Sequence, residues 1–139
     1  MAAFNKFDSF VEALAEKVHN LSADTLKIAL TNSAPSAANT VLANITQIAA
    51  GGGYTAGGSQ ATQVSSAQTT GTYKLVLNDV LFTAAGGAIA TFRYAVLYND
   101  TAASKGLIGW WDYGSSISLS AGDTFTVDFD PTTGVLTLQ

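Results

Sequence analysis

Cysteine is absent from the 139 residues, so the chain has neither a disulfide framework nor a thiolate metal site. Charge is scarce as well. Charged residues make up 12% of the chain, against about 25% in ordinary soluble domains. The six basic residues (Lys6, Lys17, Lys27, Lys74, Arg93, Lys105) are scattered, and the net charge is −4. Nucleic-acid binding needs clustered Lys and Arg to neutralise phosphates, so a nucleic-acid partner is not expected. No apolar run approaches the roughly 20 residues of a membrane-spanning helix. The N-terminus, Met1 to Lys6, lacks the basic region and apolar core of a signal peptide. No membrane partner is expected.

What remains is Ala, Gly, Ser, Thr and a 47% hydrophobic fraction. A surface so poor in charge tolerates contact with neighbouring molecules. The length fits one domain with its own core. Three stretches of that single domain read differently. Residues 1–50 predict a helix, a strand and a short helix. Residues 51–72 form a Gly/Ser/Thr/Gln-rich loop or arm, and residues 73–139 an antiparallel β-module.

In the first stretch, Phe4, Phe7, Val11, Leu14, Val18 and Leu21 follow a 3-and-4 spacing, which predicts one stripe of a helix over 4–21. Either Ser9 and Glu12 supply a capping box or the helix begins near Asn5, and Asn20 is its stop. Leu26, Ile28 and Leu30 alternate with Lys27, Ala29 and Thr31, a strand with one buried face. Val41, Leu42, Ile45 and Ile48 fit a short helix. Five glycines among Gly51–Gly58 make a flexible loop or turn. Ser59–Thr72 reads as an exposed strand or an arm that gains order from a neighbour.

From Tyr73 onward, period two dominates. Strands are predicted at Tyr73–Leu77, Val80–Thr83, Phe92–Tyr98, Leu107–Tyr113, Ser116–Ser120, Thr124–Asp130 and Val135–Leu138. A hairpin turn is expected at Gly86-Gly87. The fold class is therefore mainly β with an N-terminal helix (α+β), arranged as an antiparallel β-sandwich or barrel.

Candidate chemistry is thin. A Ser-His-Asp or Cys-His arrangement would need His19, the single histidine, as its base. His19 reads instead as a surface or C-cap residue near the helix end. Asp123, Asp128 and Asp130 lie close in sequence, with Asp112 not far away, and Asp128 and Asp130 share one strand face; the group is too sparse for a calcium loop and reads as a solvated polar face beside a turn. Gly51, Gly53 and Ala56 loosely match a dinucleotide fingerprint but lack the strand before and the helix after. No catalytic residue, cofactor or metal ligand is assigned. Trp110, Trp111 and Tyr113 offer either a sugar platform or core plus interface. Their alternation favours the latter, with one tryptophan on each face.

Three blocks carry a resemblance: Phe92-Arg93-Tyr94-Ala95-Val96-Leu97-Tyr98-Asn99-Asp100-Thr101, Leu107-Ile108-Gly109-Trp110-Trp111-Asp112-Tyr113-Gly114 and Gly122-Asp123-Thr124-Phe125-Thr126-Val127-Asp128-Phe129. With the Phe4–Leu21 and Leu26–Thr31 segments, they resemble small structural proteins of tailed-bacteriophage virions. Among these, the chain looks like a capsid decoration (cement) protein. The resemblance implies a virion protein made in the host cytoplasm, with no enzymatic role. Its partners would be the major capsid protein or other virion proteins, and it would form a homo-oligomer, with a trimer favoured. A tail, neck or fibre-associated position is the alternative, and a carbohydrate-binding module a more remote one. The aromatic strands hold two apolar faces, more than one small sheet needs, so the surplus face is expected to meet a neighbour. The expected interface residues are Phe4, Phe7, Val11, Tyr94, Tyr98, Trp110, Trp111 and Tyr113.

Overall fold

A computed structural model describes residues 2–139. Ten antiparallel strands build two layers. The strands are β1 (Asn5–Lys6), β2 (Leu26–Thr31), β3 (Ser59–Gln60), β4 (Gln63–Thr69), β5 (Thr72–Leu77), β6 (Val80–Thr83), β7 (Ile89–Asn99), β8 (Leu107–Leu119), β9 (Thr124–Val127) and β10 (Leu136–Leu138). One layer is a five-stranded sheet in the order β1-β8-β7-β2-β3. The second is made of a three-stranded sheet, β10-β5-β4, and a two-stranded sheet, β6-β9. The fold is a mainly β antiparallel sandwich with a single short helix near its N-terminus. Its main core lies between the layers, where Leu26, Ile28, Leu30, Leu97 and Ile108 meet Leu75, Leu77, Val80 and Phe82.

Several elements differ from their sequence-based expectation. The helix, α1, covers only Ser9–Ala15. Upstream, Asn5 and Lys6 pair with Trp110 and Gly109 of β8. Gly109 permits this approach, since a Cβ there would fall 2.1 Å from the Phe4 ring. Downstream, Val18 N donates to Ala13 O and Lys17 N to Leu14 O. With Lys17 at φ 68, this is a Schellman stop three residues before Asn20. The expected capping box is not formed, and Asp8 occupies the N-cap without a side-chain bond. The stripe accordingly splits: Phe7, Phe10 and Leu21 are buried, while Val11 and Val18 are exposed.

The short helix expected between Thr40 and Ala50 is one 3-10 turn, Leu42–Asn44. The Ser59–Thr72 stretch resolves as strands, with β4 folded back on β5 around Thr70-Gly71. The Gly51–Gly58 run is packed rather than free. Gly58, at φ +75, lies so close to β2 that a Cβ would sit 1.7 Å from Ile28 O. Gly86-Gly87 makes no hairpin, because β6 pairs with β9 and the glycines carry the chain across to β7 in the other layer. Leu107–Tyr113 and Ser116–Ser120 merge into one 13-residue strand, β8, interrupted near Gly114 at φ +98.

The surplus apolar face of the large sheet is covered by the chain itself. Ala29, Val96, Tyr98 and Leu107 are buried there with Phe7 and Ile45, and Leu42 and Trp110 pack against them. The covering segment is tied down by main-chain bonds from Leu42 N to Lys105 O and from Leu107 N to Thr40 O. That face is closed within the molecule, so the expected neighbour is not needed to bury it.

Candidate binding groove

The open side of the sandwich begins where the β7–β8 ladder parts. Phe92 pairs with Ile117, and Tyr94 already pairs with Asp112, so the four residues Tyr113–Ser116 stand opposite Arg93 alone. This bulge bends β8 away and leaves a gap. Arg93 spans it: Nε donates to Asp112 Oδ1 at 2.8 Å and Nη2 to Oδ2 at 3.0 Å. Gly114 N donates to the same Oδ1 at 2.8 Å. The Arg93 guanidinium, and then the Gly114 amide, hold the Asp112 carboxyl below the usual carboxylate range. Arg93 also lies 5.4 Å from the Tyr94 ring centroid.

β9 lies across from this gap in the other layer. Between them is a half-open groove of about 580 Å³. Aromatic rings line it in two contact chains. In one, Trp111 has Phe4 and Phe129 at 5.4 Å on either side. In the other, Phe125 meets Phe92 at 5.0 Å and Tyr113 at 5.5 Å, both edge-to-face. Edge-to-face packing suits the ring quadrupoles and fixes the walls. Asp128 and Asp130 line the same groove. They lie beyond the last residue of β9, so they do not share a strand face as expected. Asp130 accepts from Thr132 N at 2.7 Å and Thr133 N at 3.3 Å, and these donors keep its carboxyl below the ordinary range.

Of the eight expected interface residues, Phe4, Tyr94, Trp111 and Tyr113 come together here. Val11 is exposed on α1, outside the groove. Trp110 lies on the opposite face of the sheet, with its ring 4.6 Å from Phe7. Phe7 and Tyr98 must be corrected. Both are enclosed by the chain, and the Tyr98 hydroxyl donates to Gly57 O at 2.6 Å, so neither offers surface to a partner. Phe92, Phe125, Phe129 and the Arg93–Asp112 pair were not singled out from sequence. The alternation in 124–130 already pointed Phe125 and Phe129 inward, but nothing local marks the bulge that brings them to a groove.

His19 is likewise a correction. It is 4% exposed, not a surface residue. Asn99 Nδ2 donates to its Nδ1 at 3.0 Å and to Asp24 Oδ2 at 2.6 Å. Asn99 Oδ1 accepts from Thr101 N and Ala102 N, which fixes the amide orientation. The imidazole proton therefore sits on Nε2, which has no hydrogen-bond partner among the described residues. Burial lowers the His19 pKa against the smaller opposing pull of Asp24.

No cluster of three or more His, Cys, Asp or Glu placed to hold a metal occurs among the described residues. None of the described helices is long and apolar enough to cross a membrane. Comparisons with protein-family models, curated proteins and solved structures find no match to this chain.

Proposed function

We propose that this chain is a structural subunit of a tailed-bacteriophage virion, serving as a decoration protein that clamps the head shell. The observation that carries this reading is the half-open groove, which presents Trp111 and Tyr113 at the surface of an otherwise self-contained sandwich. Rings of that kind dominate contact energy in protein interfaces. The three sequence blocks that resemble virion proteins supply two of the groove's walls, through Phe92–Ala95 and Phe125–Phe129. A surface with few charges favours permanent association over free solution. On this reading the partners are the major capsid protein and further copies of the chain in a trimer. Repetition over many copies lets modest contacts add up to a stable shell.

Locating the chain in intact particles tests the proposal. Copies at the threefold positions of the shell, with a less stable head when they are removed, are the expected result. Copies confined to the tail or neck would overturn the decoration role, and absence from purified particles would overturn the virion assignment.

A further inference from the structure

The lining of the groove has a feature that a pocket for a compact ligand does not need. It includes six consecutive residues, Phe125 to Asp130, and four consecutive residues, Phe92 to Ala95. Neighbouring residues on a strand point to opposite faces. A surface that takes in both odd and even positions is therefore bordered by the edge of the backbone as well as by one row of side chains. β9 has β6 on one side and no strand on the other. Phe125 to Val127 give a strand edge about 10 Å long, and Asp128 to Asp130 continue the track beyond its end.

Several other edges are blunted, although the free side of β6 is as plain as that of β9. The large sheet ends in two-residue strands, β1 and β3, and β4 carries a bulge between Gln63 and Ser65. Short edges and bulges discourage strand addition. The edge Thr124-Phe125-Thr126-Val127 has no charge, no proline and no bulge in its pairing with β6. Its flank is acidic. Arg93 is already neutralised in its two-bonded pair with Asp112, whereas Asp128 and Asp130 make no ion pair among the described residues. The uncompensated charge along the track is negative.

We propose that the groove takes an extended segment of a partner protein, added as a strand along β9, with apolar side chains among the rings and basic side chains toward Asp128 and Asp130. Main-chain bonds to the free edge give such a complex its affinity, and pockets for alternate side chains give it specificity. Alternate side chains on the added strand stand about 7 Å apart, a spacing that lets successive ones reach the two aromatic groups around Trp111 and Phe125. This inference goes beyond the particle assignment and does not depend on it. A segment bound in the groove is compatible with any partner, and a place in the particle is compatible with contacts elsewhere.

The test uses the full chain and three labelled synthetic heptapeptides. One alternates Lys and Val, one alternates Glu and Val, and the third is the Lys–Val peptide with a central proline. Fluorescence polarisation is expected to show saturable binding of the Lys–Val peptide. The preference over Glu–Val should be about tenfold, the yield of two partly exposed ion pairs. The proline peptide should bind weakly, because it lacks a strand amide. The D128N/D130N double variant should erase most of the charge preference, and Y113A, which removes an exposed ring, should weaken both alternating peptides while lowering the melting midpoint by no more than a few degrees. Amide shifts on titration should concentrate in 92–95 and 124–130. The proposal is overturned by no binding, by equal binding of all three peptides, or by shifts centred on β4. Concentration-dependent dimerisation through the groove would also overturn it, since a second copy would then be the occupant.

Discussion

His19 couples the fold to pH. Its Nδ1 accepts a hydrogen bond from Asn99, and the Asn99 amide cannot turn over without releasing two backbone N–H groups. A second proton on the ring would face the Asn99 donor, so the folded state disfavours it. The pKa is accordingly lowered below 6.5, mainly by burial. In the unfolded chain the imidazole titrates near its ordinary value of about 6.5. Below that pH the unfolded state binds more protons than the folded one, and stability falls with pH. The contribution is fully present above about 6.5 and is lost as pH drops through the folded pKa. Asp100, Asp112 and Asp130 are also lowered, but they start from 3.8 and act at lower pH. Urea midpoints between pH 7.5 and 4.5 should therefore decline in the wild type. His19→Asn places Oδ1 where Nδ1 stands and keeps an acceptor for Asn99 without titrating, so its midpoint should stay nearly flat over the same range. An equal decline in both proteins would assign the pH dependence elsewhere.

At the scale of elements, the sandwich depends on side chains that stand in for missing strands. β3 covers only Lys27 and Ile28 of β2. Beyond it, Ile48 N donates to Leu30 O at 3.1 Å, and Leu30 N donates to the Tyr54 hydroxyl at 3.1 Å. The same hydroxyl donates to Gln47 Oε1 at 2.9 Å, which also accepts from Gly57 N at 2.7 Å. Tyr54 thus continues the edge of β2 and ties the Gly-rich connection to the covering segment. Tyr54→Phe keeps the buried ring but leaves the Leu30 amide without that acceptor. A loss of about 1–3 kcal/mol is expected from chemical denaturation, with faster hydrogen exchange at Leu30 as its local signature. The element scale is also where sequence and structure part. The alternation in Leu26–Thr31 and Thr124–Val127 marks strands correctly, but the single buried face expected for Leu26–Thr31 is corrected, since Ala29 and Thr31 are buried on its other side as well. Alternation also places Trp110 and Trp111 on opposite faces. Partner choice is not local, and the periodicity of Val80–Thr83 is the same whether the strand pairs with β7 or β9. The helix expected over 4–21 is cut short because pairing on β8 outweighs the weak helical preference of Phe4–Lys6. The groove was legible as rings in alternating strands but not as a place. Its opening depends on Tyr113–Ser116 bulging against Arg93, a register fixed between Arg93 and Asp112, 19 positions apart in the chain.

For the whole molecule, the order of pairing decides how it folds. β1 closes on β8 across more than a hundred residues, β2 pairs with β7, and β10 returns to β5. Each of these contacts must overcome a long loop closure before it contributes. Topologies of this kind fold in about milliseconds to seconds, slower than helical bundles of equal size. The same long-range ties argue against independent unfolding of the two layers. Residues 78–79 tie the two sheets of the second layer by running directly from β5 to β6, and the shared core joins that layer to β2, β7 and β8. The two tryptophans make this testable, because they report on different sides of the large sheet. In Trp110→Phe the remaining indole senses the groove side; in Trp111→Phe it senses the face covered by Ile45 and Leu42. In each variant the fluorescence and far-ultraviolet circular dichroism curves should coincide in urea, with a single refolding phase on the millisecond-to-second scale. A Trp110 signal that moved at lower urea than the dichroism would mean that the covering segment detaches first. The second apolar face of the sheet would then be available to a partner after all.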